Sequence, residues 1–283
     1  MTASRIFAAL GTLVATGAGF AAAAQAAGLA EPWQLGLQDA ATPVMRELNS
    51  FHNMLLVLIF VIAIFVMCLL LYCMVKFNAK SNPTPTKTSH NTLLEVIWTA
   101  VPVLILVVIA IPSFKLLYFA DRAVDAEMTI KAIGHQWYWS YEYPDHDDLT
   151  FDATMLEDDE RTPDQPRLLA TDNAIVVPVD TSIRLLTTSD DVIHSWAMPA
   201  FGVKLDAVPG RINETWMKVE APGMYYGMCS ELCGVRHGFM PIMVKAVPKD
   251  EFKAWVEKAK KEFARSGDET PLEVARINTA SAR

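Results

Sequence analysis

Two cysteines, a histidine and a methionine occupy one short segment of the chain, and together they have the chemistry of a metal site. The four residues are Cys229, Cys233, His237 and Met240, and His194 lies some way upstream. Thiolate and thioether sulfurs with imidazole nitrogens are donors that copper and zinc accept in proteins. The segment therefore predicts a site for one of these metals.

The number of cysteines indicates how such a site would be built. A mononuclear blue-copper site uses one Cys, two His and a distant Met, whereas two thiolates can each bridge a pair of metal ions. Each ion then has one His and one weak ligand, for which Met240 and the backbone carbonyl of Glu231 are suited. Bridging thiolates let one electron spread over both metals, so the pattern favours electron transfer over substrate chemistry.

Three simpler interpretations of the cysteines stay open from these residues alone. Cys229 and Cys233 could form a disulfide in an oxidising compartment. A structural zinc site with two Cys and two His would leave Met240 unused. A thiol redox pair usually has Cys-x-x-Cys spacing, which this chain lacks here. The complete set of donors favours copper over each of these.

A second pattern is the aromatic segment Gly134-His-Gln-Trp137-Tyr-Trp139-Ser-Tyr141-Glu-Tyr143. Alternating aromatic side chains on a strand usually pack in the core. They are too dense here for one buried face, so at least one ring is expected at the surface. A surface ring beside a metal could serve as a contact for electron tunnelling.

Acidic residues crowd the part of the chain that follows, and the formal net charge is −8. Such a surface would repel nucleic acid and suits a basic protein partner, although it would also serve solubility alone. The candidate docking residues are Asp145, Asp147, Asp148, Asp158 and Asp159.

The N-terminal residues have the pattern of a secretion signal. Arg5 precedes an apolar stretch over residues 6–20, and Ala24-Gln-Ala26 matches a small-x-small cleavage site. Residues 1–26 are therefore predicted to be a signal peptide that is removed on export. Residues 27–50 would follow as a periplasmic N-terminal segment.

Two apolar runs, residues 54–75 and 97–117, are each long enough to cross a bilayer, since about 20 residues suffice. The linker between them is rich in lysine, which places it in the cytoplasm by the positive-inside rule. We therefore predict a transmembrane hairpin over residues 51–119. Glu95 lies at its cytoplasmic edge, as either an ordinary interfacial carboxylate or an entrance for protons.

Short β-type runs separated by turn residues fill residues 120–250 and predict a Greek-key sandwich or barrel. His194 is placed at the end of one of its strands. A helix is predicted over residues 249–265. It forms the first part of a C-terminal unit, residues 251–283, whose remainder is a tail without a core-forming pattern. The other predicted strands are residues 128–133, 137–143, 174–179, 182–188, 214–219 and 240–247.

In this order, the motifs resemble subunit II of the haem-copper cytochrome c oxidases, of the bacterial aa3 type. The likeness extends over residues 43–255. Its motifs are Leu94-Glu-Val-Ile-Trp-Thr99, Gly134-His-Gln-Trp-Tyr-Trp139, Val192-Ile-His-Ser-Trp196, Asp206-Ala-Val-Pro-Gly-Arg211 and the cysteine loop. The resemblance implies a membrane-anchored α+β protein, in which a two-helix transmembrane hairpin is followed by a cupredoxin-like Greek-key β-sandwich. It also implies a binuclear copper centre that accepts electrons from cytochrome c and passes them to the haem of subunit I, where oxygen is reduced to water.

The resemblance further implies roles for individual residues. Glu231 would bind copper through its carbonyl, and its side chain would help to bind a magnesium ion shared with subunit I. Trp137 would be the residue through which electrons enter, Glu95 would lie at the mouth of a proton channel, and the five aspartates would face cytochrome c. The implied copper ligands are His194, Cys229, Glu231, Cys233, His237 and Met240.

The resemblance also implies partners and a location. The partners are cytochrome c, oxidase subunits I and III and membrane lipid, with no role for nucleic acid. The location is the bacterial inner membrane, with both mature termini and the copper domain in the periplasm. Other proteins fit less well, because the quinol-oxidising subunit lacks the copper ligands and nitrous oxide reductase lacks the hairpin. A membrane-anchored copper chaperone would need neither Met240 nor the tryptophan strand.

Overall fold

The computed structural model describes residues 28–121 and 125–263. The predicted signal peptide, residues 1–26, and the predicted tail from residue 266 lie outside the described residues. The described part consists of a pair of long helices, a β-sandwich and one further helix.

The two apolar runs form helices α1 (Pro43–Lys76) and α2 (Thr92–Asp121), each long enough and apolar enough to cross a membrane. Helix α1 has 34 residues, which makes it about 51 Å long against a hydrocarbon core of about 30 Å. It begins at Pro43 because Thr42 caps it, the Thr42 side chain accepting a hydrogen bond from the Met45 amide. The helix therefore starts earlier than residue 51, and its outer turns lie within the predicted N-terminal segment.

The sandwich is made of two five-stranded sheets, with strand orders β3-β2-β1-β5-β8 and β4-β10-β9-β6-β7. Most neighbouring strands are antiparallel, whereas β1 with β5 and β4 with β10 are parallel. This architecture confirms the predicted sandwich. The strands are β1 (Met128–His135), β2 (Tyr138–Tyr143), β3 (Leu149–Ala153), β4 (Ile175–Pro178), β5 (Ile183–Ser189), β6 (His194–Met198), β7 (Val203–Ala207), β8 (Asn213–Met217), β9 (Gly223–Cys229) and β10 (Pro241–Val247).

Each of the six predicted strand segments overlaps an observed strand, but one placement was wrong. His194 is the first residue of β6 and not the last residue of a strand. The strands without a predicted range are β3, β6, β7 and β9. Charged residues or glycine interrupt β3, β7 and β9, whereas β6 is a short segment of five residues. Pairing with neighbouring strands, more than local propensity, makes them extended.

The core between the sheets is aromatic, and Trp139, Trp196, Tyr141 and Tyr143 are all completely or almost completely buried. Tyr143 also joins the two sheets by hydrogen bonds. Its hydroxyl donates to the carbonyl of Val176 and accepts from the amide of the same residue, both at 3.0 Å. A buried tyrosine hydroxyl with both kinds of partner meets the requirement that polar groups in a core be paired.

Helix α3 (Lys249–Glu262) closes one edge of the sandwich, and it ends before the predicted Arg265. Its apolar residues Phe252, Val256 and Ala259 are buried against the sheets. The opposite face is charged, as the sequence pattern predicted for an amphipathic helix.

Both membrane helices are attached to the sandwich by hydrogen bonds. The residue before the α1 cap, Ala41, donates to the carbonyl of Ala200 at 2.9 Å and accepts from the amide of Glu220 at 3.1 Å. At the end of α2, the indole of Trp216 donates to the carbonyl of Phe119 at 2.7 Å. The hairpin and the sandwich are thus connected at two separate places.

Strands β6 and β9 approach each other closely at Gly227, where a Cβ atom would overlap the backbone carbonyl oxygen of Ala197. We expect Gly227→Ala to lower the free energy of unfolding by about 3 kcal/mol or more, because a backbone atom cannot move aside as a side chain can. Urea unfolding of the full chain in detergent, followed by circular dichroism, measures this.

The matched control is Gly36→Ala, since a Cβ at position 36 would meet nothing within 4 Å. Equal stability of the two variants would contradict the close contact between β6 and β9.

Candidate metal centre

The hairpin of β9 and β10 carries the cysteine loop. Cys229 is the last residue of β9 and Met240 immediately precedes β10. The Cys229 amide donates to the carbonyl of Met240 at 3.3 Å, so the two ends of the loop are held together. A single 3-10 turn over His237–Phe239 brings the chain back towards the strand.

The structure brings the predicted donor atoms together. The sulfurs of Cys229 and Cys233 lie 3.9 Å apart, and the Met240 Sδ lies 3.5 Å from the Cys233 Sγ. The Nδ1 of His237 is 3.7 Å from the Cys233 Sγ, and the carbonyl oxygen of Glu231 is 3.4 Å from the Cys229 Sγ. Each of the two cysteine sulfurs therefore has further candidate metal-binding atoms beside it.

His194 enters the cluster from the neighbouring strand. Its side chain is completely buried at the start of β6, and its Nδ1 lies 3.9 Å from the Cys229 Sγ. Gly134 on β1 permits this position, because a Cβ there would come within 2.7 Å of the imidazole. The donor atoms of His194, Cys229 and Cys233 all lie within 4.8 Å of one another.

Asp191 orients His194, a role that the sequence reasoning missed. The Asp191 Oδ1 lies 2.9 Å from the His194 Nε2 and accepts a hydrogen bond from the Nε2–H group. The lone pair of the His194 Nδ1 then faces the sulfurs. Burial lowers the pKa of His194, but its contacts with Cys229 and Asp191 outweigh burial and raise that pKa. An acid three residues before a candidate ligand was a signal available in the sequence.

The two thiols differ in acidity. Burial raises the pKa of Cys229, but hydrogen bonding with His194 and with the backbone of Glu231 and Ser195 lowers it to about 6. Burial and the charge of Cys229 raise the pKa of Cys233 to about 12. Cys229 is therefore the more acidic of the two thiols, and a bound cation would displace the protons of the pair, because metals bind thiolates.

These distances test whether a pair of metal ions fits. A metal lies about 2.3 Å from a thiolate sulfur, so an ion can reach both sulfurs across their separation of 3.9 Å. The same separation is too long for a disulfide bond, which is about 2.05 Å. The thioether of Met240 within the cluster is a soft donor that a Cys₂His₂ zinc site would not use.

Trp137 lies directly beside the cluster and is half-buried, as expected for an aromatic ring that reaches the surface. Its indole Nε1 donates to the carbonyl of Cys233 at 3.1 Å. The amide of the Gln136 side chain donates to the same carbonyl at 2.8 Å, and the Gln136 backbone amide donates to Asp191 at 2.7 Å. Gln136 was not among the candidate residues, and its residue type gave no signal.

The five candidate docking aspartates differ in their surroundings. Lys260 contacts Asp147 at 2.6 Å and lowers its pKa, and Asp158 forms ion pairs with Arg161 and Arg167. The carboxylate of Asp145 accepts a backbone hydrogen bond at 2.6 Å. Among the described residues, three of the five form no ion pair, and these are Asp145, Asp148 and Asp159.

The acids also differ in their distance from Trp137. Residues 145–148 follow the far end of β2, a strand of six residues that spans about 20 Å. Two other acids lie closer, since Asp191 accepts a hydrogen bond from the Gln136 backbone amide at 2.7 Å and the Asp190 amide donates to the Gly134 carbonyl at 3.2 Å. The Asp190 side chain is 71% exposed and its carboxylate lies 3.6 Å from the His135 Nδ1. Asp190 was not among the candidates.

Glu95 lies in the first turn of α2, far in sequence from the cluster. A shallow cleft of about 540 Å³ on this helix is lined by Glu95, Thr92 and Thr99 together with four apolar residues, and these are Val96, Ala100, Val103 and Leu104. A polar stripe on an otherwise apolar membrane helix is expected to face a protein partner or water.

Comparison with known proteins gives the family. Residues 128–247 match the family described as cytochrome c oxidase subunit II, periplasmic domain, and residues 30–116 match its transmembrane domain. The chain is 52% identical over 241 residues to a probable cytochrome c oxidase subunit 2 of Rickettsia bellii, covering 85% of this chain and 89% of that protein. It is 51% identical over 233 residues to cytochrome c oxidase subunit 2 of Oenothera berteroana, covering 80% and 90%.

A solved structure is also similar. The crystal structure of the periplasmic domain of subunit II of cytochrome oxidase of Bradyrhizobium japonicum is 57% identical, with a TM-score of 0.47, and the match covers 49% of this chain and 97% of that one. The two family matches together span the helical hairpin and the sandwich, and the curated relatives are matched over most of their length. The chain therefore belongs to the cytochrome c oxidase subunit II family, as a membrane-bound subunit with a cupredoxin-like domain.

Proposed function

We propose that the protein binds two copper ions in one binuclear centre, accepts electrons from cytochrome c there, and passes them to the haem of subunit I. The observation that carries the proposal is the pair of buried sulfurs 3.9 Å apart, surrounded by two imidazoles and two weak donors. The proposed copper ligands are His194, Cys229, Glu231 through its carbonyl, Cys233, His237 and Met240.

Held by the two thiolates and the surrounding donors, a pair of copper ions would supply a one-electron relay at this site. The residues of the chain shield the centre from water and orient its ligands. Buried Cys229, Cys233 and Met240 exclude water from one side of the centre. Asp191 holds the His194 ring in the orientation needed for coordination. A fixed ligand set reduces the structural change that accompanies a change of charge.

Trp137 is the proposed entrance for electrons. Its ring reaches the surface on one side, and its indole nitrogen is hydrogen-bonded to the carbonyl of the proposed ligand Cys233 on the other. This gives a short connected path from a docked protein to the centre. The second donor to the same carbonyl, Gln136, holds that peptide in place.

Cytochrome c is proposed to dock on the acidic face around Trp137. The five aspartates from the sequence remain proposed contacts, and the structure adds Asp190 as a nearer one. Charge attraction of this kind mainly increases the rate of association and selects the partner.

Further proposals concern the surrounding complex. The exposed side chain of Glu231 is proposed to help bind magnesium with subunit I, and Glu95 to lie at an entrance for protons in that subunit. The lysine-rich linker and the predicted signal peptide support a place in the bacterial inner membrane with the sandwich in the periplasm. Subunit III is a further proposed partner.

Cys229→Ser should abolish the binuclear centre, because a hydroxyl does not replace a bridging thiolate. We expect the copper content of the full chain to fall from two ions to one or none, with loss of the electron paramagnetic resonance pattern of one electron shared by two copper nuclei. Cys68→Ser, in the membrane helix α1, is the matched control and should keep both ions. Two coppers in the Cys229 variant would rule out the proposed bridging role.

Trp137→Phe should slow reduction by cytochrome c several-fold while copper content stays normal, because the ring loses its hydrogen bond to the Cys233 carbonyl. Stopped-flow reduction of the assembled oxidase measures the rate. Trp255→Phe provides the control, since that tryptophan packs against Tyr143 and Phe151 away from the cluster. An unchanged rate in the Trp137 variant would remove this residue from the path.

Asp190→Asn should weaken cytochrome c association by up to about fivefold at low salt, the effect of one exposed charge. The slope of the rate against ionic strength should decrease with it, because salt screens the same attraction. Asp147→Asn should change both quantities less, since Lys260 already neutralises Asp147. The reverse order of effects would move the docking face to the far end of β2.

A further inference from the structure

A cleft of about 500 Å³ lies between α1 and α2 at the end of the hairpin next to the sandwich. Two matching stripes line it, each with the spacing i, i+3, i+4, i+7 that places side chains on one helix face. The lining residues are Glu47, Ser50, Phe51 and Met54 from α1 and Pro112, Lys115, Leu116 and Phe119 from α2.

The position of the cleft corresponds to the boundary between the hydrocarbon and the headgroups of a bilayer. Met54 begins the apolar run of α1, and Lys115 is the first charged residue after the apolar part of α2. Charged side chains are expected to begin where the hydrocarbon ends. The cleft therefore has apolar walls on its membrane side and polar groups on its outer side.

The helices cannot easily close this gap. The sandwich holds α1 at Ala41 and α2 at Phe119, just beyond the cleft. Pro112 lies inside α2 and has no amide hydrogen, so it interrupts the helical hydrogen bonds at the inner end. Moving the helices together would break the bonds to the sandwich.

Two opposite charges line the cleft without neutralising each other. Among the described residues, neither Glu47 nor Lys115 takes part in an ion pair. A headgroup that carries one negative and one positive group would complement both. A phosphate and a primary ammonium, as in phosphatidylethanolamine, provide this combination.

We propose that the cleft binds one phosphatidylethanolamine molecule. The phosphate contacts Lys115, the ammonium contacts Glu47, and an acyl chain lies along Phe51, Met54 and Leu116. The lipid fills the space that the sandwich keeps open between the helices. It thus forms part of the connection between hairpin and sandwich.

Native mass spectrometry of the full chain tests the proposal in detergent micelles doped with phosphatidylethanolamine or phosphatidylglycerol. Lys115→Gln should weaken binding of both lipids by about fivefold, because both carry the phosphate. Glu47→Gln should weaken only phosphatidylethanolamine, because only that lipid carries the ammonium. The controls Lys87→Gln and Asp39→Asn change charges outside the cleft and should leave binding unchanged.

Unchanged lipid binding in Lys115→Gln would overturn the proposal, and equal effects of Glu47→Gln on both lipids would overturn the choice of headgroup. A photoreactive side chain in place of Leu116 in the assembled oxidase tests whether lipid or a protein subunit occupies the cleft. Cross-links to lipid support the proposal. Cross-links to a protein subunit would show that a neighbouring helix fills the cleft instead.

Discussion

The backbone pairing of β9 with β10 determines the geometry of the metal centre. The pair of Met228 with Pro241 fixes the register, and it places Cys229 opposite Met240 at the two ends of the loop. His194 then joins from β6, which can approach because Gly227 has no side chain. Only the donors from Glu231, Cys233 and His237 depend on the conformation of the loop itself. Half of the proposed donors thus lie at strand ends, where the sheet holds them in place before any metal binds.

The donors could be found from the sequence because the chain has only four cysteines and six histidines, and because the spacing of these residues and Met240 within one loop is specific. Strand β6 was harder to place, because only its neighbours in the sheet make it extended. Asp191 and Gln136 escaped notice for a different reason. Polar residues of these types are common, and only the folded chain shows that both contact groups next to the cluster.

The acidic residues illustrate another limit of sequence reasoning. Closeness along the chain suggested that Asp145, Asp147 and Asp148 lie beside Trp137, but the extended strand β2 carries them to its far end. Asp190 is distant in sequence, yet it reaches the same end of the sandwich as Trp137 through the parallel pairing of β1 with β5. Net charge was thus predictable, whereas its distribution required the strand order.

The double attachment of the sandwich to the hairpin has a consequence for kinetics. The rate of electron tunnelling decreases exponentially with distance, so a domain on a flexible tether would transfer electrons only during brief close approaches. Here the hydrogen bonds at Ala41 and at Phe119 restrain the domain at two places above the membrane. In the proposed electron transfer, the gap between the candidate centre and an acceptor within the bilayer would then stay nearly constant, and onward transfer would not wait for a swinging motion.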